Sequence, residues 1–176
     1  MSKLAAFIFM LLVSSASAGS ITAPDNWNKV GEAELKVLWF HIYSAELFTP
    51  SGKYTNIESK NAGPLLLELT YQRNISKADL VEETEEQIKT FTESEKIPSW
   101  IERLNQIWPE ISKGDQLGFW IDELGHGNFF YNQTWIGAVS EPEFSNAFIK
   151  IWLSEKSSYP ELAKKLRGES TDEELR

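Results

Sequence analysis

Residues 33–48, AELKVLWFHIYSAELF, decide the fold. In an extended chain, Ala33, Leu35, Val37, Trp39, His41, Tyr43, Ala45 and Leu47 fall on one face, with Leu38, Phe40, Ile42 and Phe48 on the other. The alternation predicts one long strand, or two separated by a bend, buried on both faces in the middle. Thr49-Pro50-Ser51-Gly52 ends it as a turn.

Downstream, the apolar period switches between two and 3.6. Pro64 opens a strand over 65–72. Ser76 is a helix N-cap with Asp79 three residues on, and Leu80, Val81, Thr84, Ile88 and Phe91 mark the buried face of the helix that follows. Its opposite face, with Glu82, Glu83, Glu85 and Glu86, reads as a solvated surface. After Pro98, the spacing of Trp100, Ile101, Leu104, Ile107 and Trp108 predicts a second helix that Pro109 stops. Strands are expected over 116–123 and 128–135, joined by Leu124-Gly125-His126-Gly127, with 136–139 continuing the sheet. Phe144, Ala147, Phe148, Ile151 and Trp152 then share a helix face after Pro142. Pro160 starts a short last helix that Gly168 caps.

Upstream, the chain begins like a secretory leader. Lys3 supplies the charge, residues 4–13 (LAAFIFMLLV) form a short apolar run, and Ala16-Ser17-Ala18 is a small-x-small cleavage pattern. The run falls short of the roughly 20 apolar residues a membrane span needs. The expected organisation is a signal peptide over 1–18, one domain over 19–168 and a polar tail over 169–176, with export to the periplasm and no membrane span in the mature chain. The 176 residues include no cysteine and carry a net charge of −9. Stability then comes from burial without disulfides, and the charge argues against nucleic acid and anionic membrane surfaces as partners.

Self-sufficient catalytic motifs are missing. The two histidines, His41 and His126, lie in separate elements, so no zinc site is implied. The glycines around His126 sit between strands rather than between a strand and a helix, so no nucleotide loop is implied either. A nucleophile elbow is absent. Glu46 and Glu68, in strands, are the nearest approach to an acid–base pair, and no cofactor is called for.

The stretch 39–48 (WFHIYSAELF) followed by Thr49-Pro50-Ser51-Gly52 resembles the signature of bacterial chalcone isomerase-like proteins. Three further blocks agree with it: 67–76 (LELTYQRNIS) running into Asp79-Leu80-Val81-Glu82, Ile107-Trp108-Pro109 with Lys113-Gly114-Asp115, and Ile151-Trp152-Leu153-Ser154 with Tyr159-Pro160. The resemblance implies an α+β fold, an open-faced β-sandwich in which a large antiparallel sheet is backed by a helical layer with a ligand cleft between them. In the plant isomerases an arginine near the start of the first long strand stabilises a phenolate during ring closure. The matching stretch here is Gly31-Glu32-Ala33-Glu34-Leu35, without a cation.

The family pattern places Tyr43 where a hydroxyl-bearing residue faces the ligand; a core tyrosine bonded to backbone is the competing reading. Tyr71 and Arg73, two residues apart, could bring a phenol and a guanidinium to one oxyanion, unless Arg73 is a surface ion pair. Trp39 and His41 share the strand parity of Tyr43 and would line the same cleft, although a core histidine is also compatible. The expected function is an exported, noncatalytic binder of a small apolar or amphipathic molecule, fatty-acid-like or aromatic. The alternative is an intramolecular lyase or isomerase acting on a phenolic or enone substrate.

Overall fold

A computed structural model describes residues 23–54 and 63–169. The expected leader (1–18) and the tail beyond Glu169 lie outside the described residues. Six strands, β1 (Asn28–Val37), β2 (Phe40–Thr49), β3 (Leu65–Tyr71), β4 (Gln116–Ile121), β5 (Gly127–Tyr131) and β6 (Thr134–Val139), form one antiparallel sheet in sequential order. Helices α1 (Lys77–Lys89) and α2 (Ile97–Ile107) are inserted between β3 and β4, while α3 (Pro142–Leu153) and α4 (Pro160–Leu166) follow β6. The expected α+β architecture, a large antiparallel sheet with a helical layer, is what the chain adopts.

The deciding stretch folds as two strands. Val37 pairs with Phe40, leaving Leu38 and Trp39 as the two central residues of a tight hairpin. Leu38 takes φ 57, a left-handed conformation that costs a leucine energy and that glycine or asparagine would adopt more readily. The middle of the stretch is therefore not buried on both faces: Leu38 and Trp39 are each 78% exposed. Apolar composition alone predicted burial, but the tip projects past the sheet. A second correction concerns 128–135, expected as one strand. It breaks at Asn132 and Gln133, both at positive φ, to form the β5–β6 hairpin. Asparagine tolerates this geometry, but glutamine is no turn marker, so the break was hidden.

The helix signals hold. The Ser76 side chain accepts a hydrogen bond from the Asp79 backbone N–H at 3.1 Å, capping α1. Pro98, Pro142 and Pro160 sit in the first turns of α2, α3 and α4. Gly168 follows α4 at φ 71 and donates its N–H to the Lys165 carbonyl.

The core lies between the inner sheet face and the helices. Its hub is Phe148 on α3, whose ring centroid is 4.5 Å from Phe119, 5.4 Å from Phe129 and 5.3 Å from Phe144. Leu47, Leu67, Leu104 and Ile149 are among the fully buried side chains around it. Each such burial contributes about 1.5–3 kcal/mol, which is how a cysteine-free chain holds its layers together.

Helix α4 closes over β1 at Gly31. A Cβ there would stand 2.1 Å from the Lys165 carbonyl oxygen, so only glycine allows this approach. Gly31→Ala is expected to destabilise the protein by about 1–3 kcal/mol in urea unfolding. Gly118→Ala, whose Cβ would meet Phe130 at an ordinary 3.4 Å, should cost less.

On the outer face, Glu46 and Glu68 are cross-strand neighbours. Burial, and then the Glu46 charge, push the Glu68 carboxyl above its usual range. A carboxyl raised on folding favours the native state when protonated, and that contribution is lost as pH rises through the folded pKa. Glu68→Gln should therefore raise the melting temperature at neutral pH, by less than about 1 kcal/mol in stability. The gain should shrink as pH falls toward the unfolded carboxyl range, near 4.

Candidate functional site

An apolar cavity of about 310 Å³ lies between the inner face of β1–β3 and helices α1, α3 and α4. Its volume is at the low end of the roughly 300–1,000 Å³ typical of small-molecule pockets. Two larger grooves, of about 690 and 630 Å³, are lined mainly by charged and polar surface residues and offer no comparable apolar enclosure. A void of about 30 Å³ lies deeper in the core and shares Tyr71, Leu80, Thr84 and Trp152 with the cavity lining.

Strand pairing builds the sheet wall. Tyr43 of β2 is directly opposite Tyr71 of β3, and their rings meet edge to face at 5.8 Å. Leu35, Val37 and Ile42 extend this wall with aliphatic surface. The helical wall follows from the register that Ser76 sets: with α1 started there, Leu80 and Thr84 turn inward on successive turns. Helix α3 adds Ile151 and Trp152, and α4 adds Leu162.

The polar groups in this lining are few. Trp152 donates its indole N–H to the Tyr43 hydroxyl at 2.9 Å, tying α3 to β2. Tyr71 is 2% exposed, with its ring against that of Tyr43. Burial pushes both phenols above the ordinary tyrosine range. They are therefore hydrogen-bonding groups at physiological pH, not bases. Asp79, Glu83 and Gln87 occupy the next stripe of α1 and edge the cavity, with Gln87 donating to Glu83 at 2.8 Å. No lysine, arginine or histidine lines it among the described residues.

Of the residues singled out from sequence, the structure brings Tyr43 and Tyr71 together on the cavity wall and leaves the other three outside. Trp39 is at the hairpin tip. His41 loses the parity of Tyr43 because β1 and β2 shift register beside Ile42: Leu35 pairs with Tyr43, and the next residue, Lys36, with His41. Ile42 is the extra residue of this bulge, which resets the alternation, so the His41 ring points outward to Glu34 at 3.6 Å. Arg73 lies beyond the end of β3, so strand alternation does not carry it to the face of Tyr71. Its guanidinium instead stands 5.9 Å from the Phe40 ring centroid, outside the cavity lining and without a glutamate ion pair among the described residues. Glu46 and Glu68 are on the outer face, away from the site.

Sequence reasoning missed Trp152, Tyr159 and the Asp79–Glu83 edge. Trp152 carried the helical spacing of a core residue, and Glu83 belonged to a face read as solvated; nothing local distinguishes a wall of a cavity from packed core or open surface.

The model of the family described as chalcone isomerase-like matches residues 31–168, most of the chain. A Haemophilus influenzae protein described as uncharacterized is 27% identical over 164 residues, covering 93% of this chain and 77% of the relative. Among solved structures, an Arabidopsis thaliana fatty-acid binding protein superposes with a TM-score of 0.63 at 10% identity, over 85% of this chain and 90% of that one, a likeness of fold. The six-stranded sheet, its helical layer and the cleft between them thus agree with the match along the sequence, and the chain belongs to the chalcone isomerase-like family.

Proposed function

We propose that this protein is an exported, noncatalytic binder of a small apolar or amphipathic molecule, held in the cleft between sheet and helices. The observation that carries the reading is the cavity itself: aliphatic and aromatic walls that include the phenols of Tyr43 and Tyr71. That combination suits a ligand with a hydrophobic body and one polar end. The fold shared with a plant fatty-acid binding protein supports a binding role.

Ring closure on an enone is the weaker reading. It develops an oxyanion, which a guanidinium or ammonium would stabilise far better than a phenol. The described cavity lining contains neither, and Arg73 is engaged elsewhere. Export rests on the leader-like residues 1–18.

A neutral solvatochromic dye such as Nile red should bind the purified protein saturably, with one site per chain. Ile151→Trp, which fills the cavity from α3, should weaken binding at least about tenfold while leaving the fold intact by circular dichroism. Arg73→Ala, outside the cavity, should bind as the parent does. Unchanged binding in the Ile151→Trp protein would remove the cavity from the function.

Intact mass measurement of the protein from a periplasmic extract should show a chain beginning at Gly19. Recovery of a chain still starting at Met1 in the cytosol would contradict export.

A further inference from the structure

The charges around the cavity are one-sided. Its two charged lining residues are Asp79 and Glu83, one turn apart on α1, and no cationic side chain joins them among the described residues. The remaining polar surface is aromatic or uncharged: Tyr43, Tyr71, Trp152 and Tyr159 present rings, and Thr84 and Gln87 present neutral groups. Aromatic faces carry negative quadrupoles and attract cations, most strongly where water is thin, and a neighbouring carboxylate adds to that attraction. The same arrangement repels an anion. Burial is the main reason the Tyr43 proton is held firmly; the Trp152 hydrogen bond opposes it, and Tyr159 and then Glu83 add smaller contributions in the same direction as burial.

We propose that the cavity selects an amphipath whose head is positively charged, such as an alkylammonium, and discriminates against a free carboxylate of the same chain length. The hydrocarbon body lies along Leu35, Ile42, Leu80 and Ile151, while the head rests at the Asp79–Glu83 edge against the aromatic rings. This inference rests on the binding reading above and narrows it to a ligand class.

The test is isothermal titration of the full mature protein, at low ionic strength and below micelle formation, with three ligands of equal chain length: decyltrimethylammonium, decanol and decanoate. The expected order is ammonium tightest and carboxylate weakest, with roughly a tenfold or larger span between them. In an Asp79→Asn/Glu83→Gln protein the span should collapse. In Glu82→Gln/Glu86→Gln, which removes the same charge from α1 residues that do not line the cavity, it should persist. Decanoate binding as tightly as the ammonium would overturn the inference and leave the binding reading standing, as would an ammonium preference that survives in Asp79→Asn/Glu83→Gln. Saturable binding of none of the three would overturn both.

Discussion

The packing of α3 across the sheet is the constraint on which the rest of this molecule depends. Phe144 and Phe148 wedge against Phe119 and Phe129 at one end of the interface, with ring centroids between 4.5 and 6.2 Å apart. One turn further along the same helix, Trp152 lies 5.1 Å from Phe148 and hydrogen-bonds Tyr43. The helix is thus fully packed at its start and lines a cavity near its end. The start of α3 is seated on large rings of β4 and β5, while its end faces the inner side of β1–β3, where Leu35, Ile42 and Tyr43 line the cavity.

The cavity mixes apolar enclosure with hydrogen-bonding groups in a way that limits its chemistry. Its phenols are kept protonated by burial, so they act as neutral hydrogen-bonding groups rather than as bases. A site with such groups but no cation holds a neutral or positive polar end more readily than it stabilises a developing oxyanion. The departure from the plant isomerases at Gly31-Glu32-Ala33-Glu34-Leu35 has a structural counterpart: Gly31 is where the α4 carbonyls approach β1, and Glu32 and Glu34 are exposed. This end of the first strand serves helix packing and solvation.

Much of the fold was legible along the chain. Period-two and helical spacings located the strands and helices, Ser76 and the three prolines marked helix starts, and family blocks supplied the layer arrangement. The site was legible only in part. Tyr43 and Tyr71 could be named because they sit inside regular strands, where parity predicts facing. Trp39, His41 and Arg73 were grouped with them by the same parity, and each lies where parity stops applying: a hairpin tip, the far side of a bulge, and past a strand end.

The sequence by itself determined the element types, the aromatic core and the absence of an arginine at the start of the first strand, because periodicity, caps and residue identity are local properties. Only the tertiary structure decided which side chains meet in the cavity. The hairpins at Leu38-Trp39 and Asn132-Gln133 use residues at positive φ that carry no strong turn signature, and the bulge at Ile42 leaves no mark in composition. Each shifts facing without altering propensity. The acidic edge at Asp79 and Glu83 became part of the site because α1 lies over β2 and β3, a placement set by long-range packing.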